Sequence, residues 1–234
     1  MPRSLAVVPA RYGSGRLPGK PLADLGGVPM IVRVLRGISG AVDMVVAATD
    51  DSRIAGVVED AGFTAVITGD ALSGTERVYR AWRIIGEPGE VIINVQGDEP
   101  MVKESWMAPL SDDPPGDRMV HTLARPLEAA DAESPDCVKV VLDSRGEAMY
   151  FSRVPVPYGS GGFLEHVGIY AFSPASLKVC ATCGSTELST RERLEQLAWM
   201  ERGIRIRVST GNFHGFGVDT PGDLEKAVRY FEEK

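Results

Sequence analysis

The chain of 234 residues contains few cysteines, and Cys137, Cys180 and Cys183 are the complete set. An odd and sparse set of this kind is not the framework of a disulfide-stabilised secreted domain. Cys180 and Cys183 have the spacing of a metal-binding or redox pair, but no second Cys or His pair follows at zinc-finger spacing. We therefore interpret them as small residues in a helix or loop.

Long apolar runs and a basic excess of charge are also missing. No segment approaches the ~18 consecutive apolar residues of a transmembrane helix, and Pro9 interrupts the first apolar run too early for a secretory signal. The 25 Lys and Arg residues against 32 Asp and Glu residues give a net charge of −7, which excludes a broad basic surface for nucleic acid or an anionic membrane. We expect a cytoplasmic protein without either partner, in which local basic residues meet any phosphate-bearing ligand.

Short apolar runs alternate with amphipathic segments over the first 100 residues. The candidate strands cover residues 5–8, 44–48, 65–67 and 91–95, and the candidate helices cover 29–38, 54–61 and 75–85. This alternation predicts an α/β fold with a doubly wound, mostly parallel sheet covered on both faces.

The pattern changes after Pro100. Candidate strands there cover 119–124, 137–142, 148–151, 166–172 and 204–208, and candidate helices cover 190–201 and 222–233. A turn at 143–147 joins two of these strands and predicts a smaller antiparallel or mixed extension. We expect one domain over residues 1–234, with approximate sub-lobes over 1–100 and 101–234.

A loop rich in glycine and basic residues follows the first strand, over residues 9–22. Its glycines let backbone N–H groups approach an anion, and Arg11, Arg16 and Lys20 add positive charge beside them. The loop therefore suits a triphosphate better than it suits an ordinary solvated turn.

Two common phosphate-binding motifs do not fit this loop. Five residues separate Gly13 from Gly19, and Pro21 follows Lys20, so the Walker pattern is absent. The dinucleotide-binding glycine pattern is absent as well, because Pro18 occupies the position of its third glycine.

Two aspartates are candidate metal ligands. Asp98 lies just beyond the strand at 91–95, and Asp219 lies just before the last helix. Ligands of open α/β sheets bind beyond the carboxyl ends of the strands, and Mg²⁺ prefers one or two carboxylates completed by phosphate oxygens and water. Asp98 could equally cap a turn, and the spacing does not show whether the two aspartates meet.

A third polar cluster runs from Ser73 to Arg77, before a candidate helix. Its glycine and hydroxyl groups could hydrogen-bond a base or a ribose. A helix cap has the same pattern, so the residues alone leave both roles open.

Taken together, these motifs resemble the 3-deoxy-manno-octulosonate (KDO) cytidylyltransferases, also called CMP-KDO synthetases. The matching segments are 9–22, 48–50, 73–77, 94–101, 138–143, 150–153, 166–170, 194–197 and 217–221. They run in order from end to end of the chain. The continuation over residues 16–22 separates the first loop from the otherwise similar loop of the CMP-sialate synthetases.

The resemblance implies a nucleotide-diphospho-sugar transferase fold, in which the first sub-lobe binds nucleotide and the second binds the acceptor and forms a homodimer. It implies transfer of CMP from CTP to the anomeric hydroxyl of KDO with release of pyrophosphate, supported by Mg²⁺, for lipopolysaccharide synthesis. By motif position, the resemblance implies that the catalytic residues are Lys20, Arg16 and Asp98, and that the magnesium ligands are Asp98 and Asp219. It implies that the nucleotide is bound by Arg11, Ser14, Arg16, Lys20, Gly74, Thr75 and Arg77. It implies that the acceptor is bound by Gln96, His166, Tyr170, Glu195 and Gln196.

The chain departs from the family pattern mainly on the acceptor side. Glu165 stands before His166 where the family typically has a basic residue, Ala71 stands where it commonly has His, and Ser189 stands where it commonly has Glu. KDO is the first-choice acceptor. The alternatives are 8-amino-KDO, a smaller acid such as the phosphonate phosphonoformate, and a CTP-binding sensor without catalysis.

Overall fold

The structure, a computed structural model, describes residues 3–13, 17–159 and 161–233. The strands of this part of the chain are β1 (Ser4–Ala10), β2 (Met44–Thr49), β3 (Thr64–Ile67), β4 (Val91–Val95), β5 (Met119–Leu127), β6 (Lys139–Leu142), β7 (Ala148–Ser152), β8 (Phe163–Phe172) and β9 (Arg205–Thr210). The helices are α1 (Met30–Ile38), α2 (Ser52–Asp60), α3 (Gly74–Ile84), α4 (Ala108–Ser111), α5 (Ala129–Ala132), α6 (Pro174–Thr182), α7 (Glu187–Glu192), α8 (Glu195–Glu201) and α9 (Pro221–Glu232).

The strands form one mixed sheet with the main order β3-β2-β1-β4-β8-β5-β9. The first four strands are mutually parallel, whereas β8 runs antiparallel to both β4 and β5. β9 is parallel to β5, and β6 with β7 extends the sheet from β8 in antiparallel fashion. The predicted mostly parallel sheet with a mixed extension is confirmed.

Both faces of the sheet are covered, which explains the uninterrupted apolar run of β1. Leu5 and Val7 belong to one buried cluster, with residues of α3 and α8, whereas Ala6 and Val8 belong to the other, with residues of α1 and α2. Strands buried on both faces lack the alternation of polar residues seen in half-exposed strands. The carboxyl ends of β1, β2 and β4 consequently open on one edge.

The helix predicted over 190–201 is wrong as a continuous element, because the chain breaks between α7 and α8. Arg193 has a left-handed backbone with φ 55, and Leu194 is extended. The Glu192 carboxylate at the end of α7 accepts hydrogen bonds from Ser152 Oγ (3.2 Å) and the Arg153 N–H (2.9 Å). These bonds fasten α7 to the end of β7 and redirect the chain before α8.

An additional helix, α6, was not expected from the sequence. It begins with a capping box in which Ser173 and Ser176 exchange side-chain and backbone hydrogen bonds. Cys180 is buried within α6 and Cys183 ends it, which agrees with the interpretation of both as small helix or loop residues. Among the described residues, no helix is both long and apolar enough to cross a membrane.

Candidate active site

The first loop, the carboxyl end of β4 and the segment before α9 meet around a cavity of about 420 Å³. Its lining includes Arg11, Lys20, Gly74, Arg77 and Asp98, together with Asp219. The structure therefore brings together the loop, the polar cluster and both candidate metal ligands. Ser14 and Arg16, two further predicted nucleotide-binding residues, lie outside the described residues.

Lys20 lies at the centre of this cavity, in a single turn of 3-10 helix over Lys20–Leu22. Its Nζ donates hydrogen bonds to Asp98 Oδ2 at 2.7 Å and to Asp219 Oδ1 at 3.0 Å. Burial of the ammonium group lowers its pKa, but the two carboxylates outweigh that effect and raise the pKa of Lys20 above its usual value. The lysine is therefore charged at neutral pH.

Close backbone approaches place the two aspartates. A Cβ atom on Gly97 would lie 2.7 Å from the Pro9 carbonyl oxygen, so only glycine allows the ends of β1 and β4 to come this close. The Val218 N–H donates to the Asp98 carbonyl oxygen at 2.9 Å. That bond brings the segment before α9 to the end of β4 and sets Asp219 beside Asp98.

The residues at this point fit a magnesium ion. Two carboxylates converge on one cation, the Lys20 ammonium, and Mg²⁺ is commonly held by one or two carboxylates while phosphate oxygens and water complete its octahedron. The described part of the chain holds no cluster of three or more His, Cys, Asp or Glu ligands. With two protein carboxylates, an ion held by Asp98 and Asp219 would need phosphate oxygens and water to complete its coordination.

The start of α3 forms one wall of the first cavity. Ser73 caps the helix, because its Oγ accepts a hydrogen bond from the Glu76 N–H at 3.1 Å. A Cβ atom on Gly74 would lie 3.6 Å from the Gln96 amide, so the glycine leaves room at the cavity wall. Thr75 is buried, and its hydroxyl donates to Glu195 Oε1 at 2.8 Å.

Arg77 lines the cavity but uses much of its guanidinium within the protein. It donates to Asp50 Oδ2 at 2.9 Å, to Thr68 Oγ1 at 2.9 Å and to the Gly69 carbonyl oxygen at 3.0 Å. Its side chain is 4% exposed. In this structure Arg77 holds together the segments that follow β2 and β3, and a nucleotide contact stays a prediction.

A second, larger cavity of about 930 Å³ adjoins the first, and Gln96 and Asp98 line both. The five residues predicted to bind the acceptor all line it: Gln96, His166, Tyr170, Glu195 and Gln196. They come from the end of β4, from β8 and from the first turn of α8. The fold therefore brings the five residues predicted to bind the acceptor together from distant segments, next to the first cavity.

His166 is held as a neutral imidazole in the second cavity. Burial lowers its pKa to about 3. Its Nε2 lies 3.0 Å from Thr122 Oγ1, and the hydroxyl of Thr122 donates its proton to the Ile169 carbonyl oxygen at 2.6 Å. Nε2 therefore carries the imidazole proton and donates a hydrogen bond to Thr122 Oγ1, so the unprotonated Nδ1 can accept a hydrogen bond.

Burial raises the pKa of Glu195, whose carboxylate accepts the hydrogen bond from Thr75. Glu99 is enclosed close by, and burial together with the charge of Asp98 raises its pKa to about 8. Its Oε2 has no hydrogen-bond partner among the described residues. Glu99 is not among the residues predicted from the sequence, although it directly follows Asp98 in the same motif.

Glu165 is paired with Arg125, a residue that the sequence analysis missed. Arg125 Nε and a terminal guanidinium nitrogen each donate to one Glu165 carboxylate oxygen at 2.8 Å, and the other terminal nitrogen donates to the Phe213 carbonyl oxygen at 2.9 Å. Arg125 thus neutralises the negative charge of Glu165, the acidic residue at a position where a basic residue was expected, inside the cavity wall. No motif signals this pair, because the register of β5 against β8 creates it.

The other two departures have different surroundings. Ser189 completes the capping box of α7, where its Oγ accepts a hydrogen bond from the Thr186 N–H at 2.8 Å. Ala71 lines the first cavity. The change at Ser189 therefore has a local structural role, whereas the change at Ala71 lies in the wall of the candidate site.

Comparisons with known proteins find relatives that match this chain over nearly its whole length. The family model for cytidylyltransferases matches residues 5–206. A 3-deoxy-manno-octulosonate cytidylyltransferase of Anaeromyxobacter dehalogenans is 46% identical over 229 residues, which cover 94% of each chain. A protein of the same name from Parabacteroides distasonis is 38% identical over 251 residues, with full coverage of both chains. A solved structure of a CMP:2-keto-3-deoxy-manno-octonic acid synthetase complexed with CTP is 39% identical, with a TM-score of 0.89 and 99% coverage of both chains.

The fold is that of the nucleotide-diphospho-sugar transferases, and with its two joined cavities it defines an α/β nucleotidyltransferase. The chain belongs to the cytidylyltransferase family. The resemblance drawn from the motifs is therefore confirmed at the level of the family and the fold.

Proposed function

We propose that this enzyme transfers CMP from CTP to the anomeric hydroxyl of KDO and releases pyrophosphate, in the cytoplasm, as a step toward lipopolysaccharide. The observation that carries the proposal is the pair of cavities that share Gln96 and Asp98. One has the charges for a triphosphate and its ion, and the other has the size and polarity for a sugar acid. The names of the relatives support this choice of substrates.

The basic groups of the first cavity would hold the triphosphate. Attack of an acceptor oxygen on the α-phosphorus requires neutralisation of charge on the equatorial and leaving oxygens more than it requires a protein nucleophile. Lys20, beside Asp98 and Asp219, would supply positive charge for this task, and Arg11, Ser14 and Arg16 are assigned to it by the motif. Direct in-line transfer, without a covalent enzyme intermediate, therefore follows.

Asp98 and Asp219 would hold Mg²⁺. A bound magnesium ion would supply positive charge that stabilises the developing negative charge on phosphate oxygens. Lys20 would then share its donors between these carboxylates and the phosphates, since its Nζ already lies within hydrogen-bond distance of both aspartates.

The acceptor would lie in the second cavity against Gln96, His166, Tyr170, Glu195 and Gln196. An imidazole with a pKa of about 3 is a weak base at neutral pH. We therefore assign His166 to orientation of the acceptor through its Nδ1 atom, and not to removal of the proton from the attacking hydroxyl.

A homodimer is part of the proposal. The segment around β7, in the region expected to form the dimer, exposes three large apolar side chains: Met149 (62%), Val154 (62%) and Tyr158 (fully exposed). Large exposed apolar side chains are common at association surfaces, and these three lie within ten residues of one another along the chain. Sedimentation equilibrium measures the mass directly, and a monomer at micromolar concentration would contradict this part.

The test is a pyrophosphate-release assay with CTP and a panel of KDO, 8-amino-KDO, phosphonoformate and sialic acid. We expect the highest kcat/KM with KDO and inversion of configuration at the α-phosphorus. A higher value with another acid would reject the acceptor, and CTP binding without turnover on any acid would indicate a sensor. A trapped cytidylylated side chain or retained configuration would reject direct transfer.

Lys20→Met should be inactive, whereas the matched surface variant Lys103→Met should retain activity.

A further inference from the structure

Asn94 is a buried polar residue that the reaction described above does not use. It lies in β4, where every other residue is apolar, and its side chain is completely buried. Neither Oδ1 nor Nδ2 has a hydrogen-bond partner among the described residues. A buried amide normally has partners, and leaving both ends unpaired reduces stability relative to an apolar side chain of the same shape.

The strand register places Asn94 beside Tyr170, which lines the second cavity, and two residues before Gln96. Its neighbours across the sheet are Val7 on β1 and Tyr170 on β8. Side chains two residues apart on a strand share a face of the sheet, so Asn94 shares its face with Gln96. Gln96 is the next residue toward the carboxyl edge on that face, and it lines both cavities.

Two glycines, Gly74 and Gly168, lie beside the side chain of Gln96. A Cβ atom on Gly168 would lie 3.4 Å from Gln96 Cγ, and one on Gly74 would lie 3.6 Å from the Gln96 amide. Glycine therefore flanks Gln96 on two sides, and no side chain there fixes the orientation of its amide. Asn94 lies below with two donors and two acceptors available.

We propose that Asn94 is a positioning residue for the transfer reaction: when substrates occupy the cavities, its amide hydrogen-bonds the Gln96 amide from beneath and orients it toward the acceptor. This inference rests on the proposed function, because it assigns Gln96 to the acceptor. It explains why a polar residue interrupts an otherwise apolar buried strand. Stability given up at a buried position is a common signature of a functional constraint.

Asn94→Leu tests the proposal, because leucine has a similar shape and needs no hydrogen bonds. We expect kcat/KM for the acceptor to fall by about tenfold or more, with the KM for CTP changed by less than about twofold. The thermal midpoint should stay constant or rise by about 2–4 °C. Wild-type activity would overturn the proposal, and so would a lower midpoint, which would reveal a purely structural partner.

A double-mutant cycle with Gln96→Ala measures whether the effect of Asn94 on kcat/KM depends on Gln96. A purely structural role of Asn94 would not produce such a dependence. If Asn94 acts through Gln96, Asn94→Leu changes kcat/KM by less than about twofold in the Gln96→Ala background, whereas full additivity would overturn the proposal. Ile93→Leu, at an equally buried position on the other face of β4, is the matched control. Failure of wild-type turnover with every acid rejects the proposed function, whereas a fallen midpoint of Asn94→Leu rejects the positioning role whatever the acceptor.

Discussion

The hydroxyl of Thr75 donates a hydrogen bond of 2.8 Å to the carboxylate of Glu195, across 120 residues of sequence. Thr75 is buried in the first turn of α3, whose neighbouring residues Ser73 and Gly74 line the first cavity, and Glu195 begins α8 and lines the second cavity. The bond therefore joins the segments that form the walls of the two cavities.

Thr75→Val should lower the free energy of unfolding by about 1–3 kcal/mol, because valine matches threonine in shape but removes one of the hydrogen-bond donors of the buried Glu195 carboxylate. Urea denaturation measures the loss. Thr64→Val, at an exposed position of β3, is the control and should change little. If the two variants unfold at the same urea concentration, the bond with Glu195 contributes nothing to stability.

Asp98→Asn should abolish turnover while the fold survives. Asp98 would hold the magnesium ion that neutralises the reacting phosphates, and loss of one contribution to charge stabilisation commonly reduces kcat by roughly 10²–10³ or more. The Asp98 side chain is 29% exposed, so loss of its pair with Lys20 should shift the thermal midpoint only slightly. Pyrophosphate release and thermal unfolding are measured side by side, with Asp112→Asn as a surface control. A collapse of the midpoint would make Asp98 structural and remove support for its role as a metal ligand.

His166 should make the protein less stable as the pH falls below 6.5. The unfolded histidine binds a proton near its ordinary value of 6.5, whereas burial lowers the folded pKa to about 3. Between these values the unfolded state binds more protons, so each unit of decreasing pH reduces the free energy of unfolding by up to about 1.4 kcal/mol. The difference between wild type and His166→Gln should therefore shrink from pH 7 to pH 4 in urea titrations. A constant difference would show that the pKa of His166 is the same in the folded and unfolded states.

Glu165→Lys should destabilise this chain, although a basic residue is typical of the family at that position. The new ammonium group would face Arg125, whose guanidinium donates two bonds to Glu165 at 2.8 Å in a pair that is mostly buried. The expected loss is up to roughly 3 kcal/mol of unfolding free energy. Glu128→Lys, at an exposed position of the same cavity rim, should lose far less. Equal stability of the two variants would mean that Arg125 finds another partner.

Much of the fold and part of the candidate site can be predicted from local patterns of apolar and polar residues in the sequence. The apolar run of β4 and the polar residues after it predict both a buried strand and a functional loop at its carboxyl end, and Asp98 lies there. The rule that parallel strands open on one edge is enough to expect Lys20 nearby. Neither inference needs knowledge of which residues meet across the sheet.

Contacts set by tertiary register could not be predicted in this way. The pairing of Arg125 with Glu165 arises from the alignment of β5 with β8, and the bond of Thr75 to Glu195 arises from the packing of α3 near α8. The break between α7 and α8 likewise depends on Glu192 binding the end of β7. Helical propensity over 190–201 favours one continuous helix, and these long-range bonds override it.

Lys20 lies between two carboxylates, which would compete with the phosphates of a nucleotide for its ammonium group. Its ammonium group has three donors, and Asp98 and Asp219 engage two of them. A phosphate oxygen that binds Lys20, as proposed, would either take the third donor or replace one of these carboxylates. The affinity for nucleotide would then include a difference between two sets of bonds to one ammonium group.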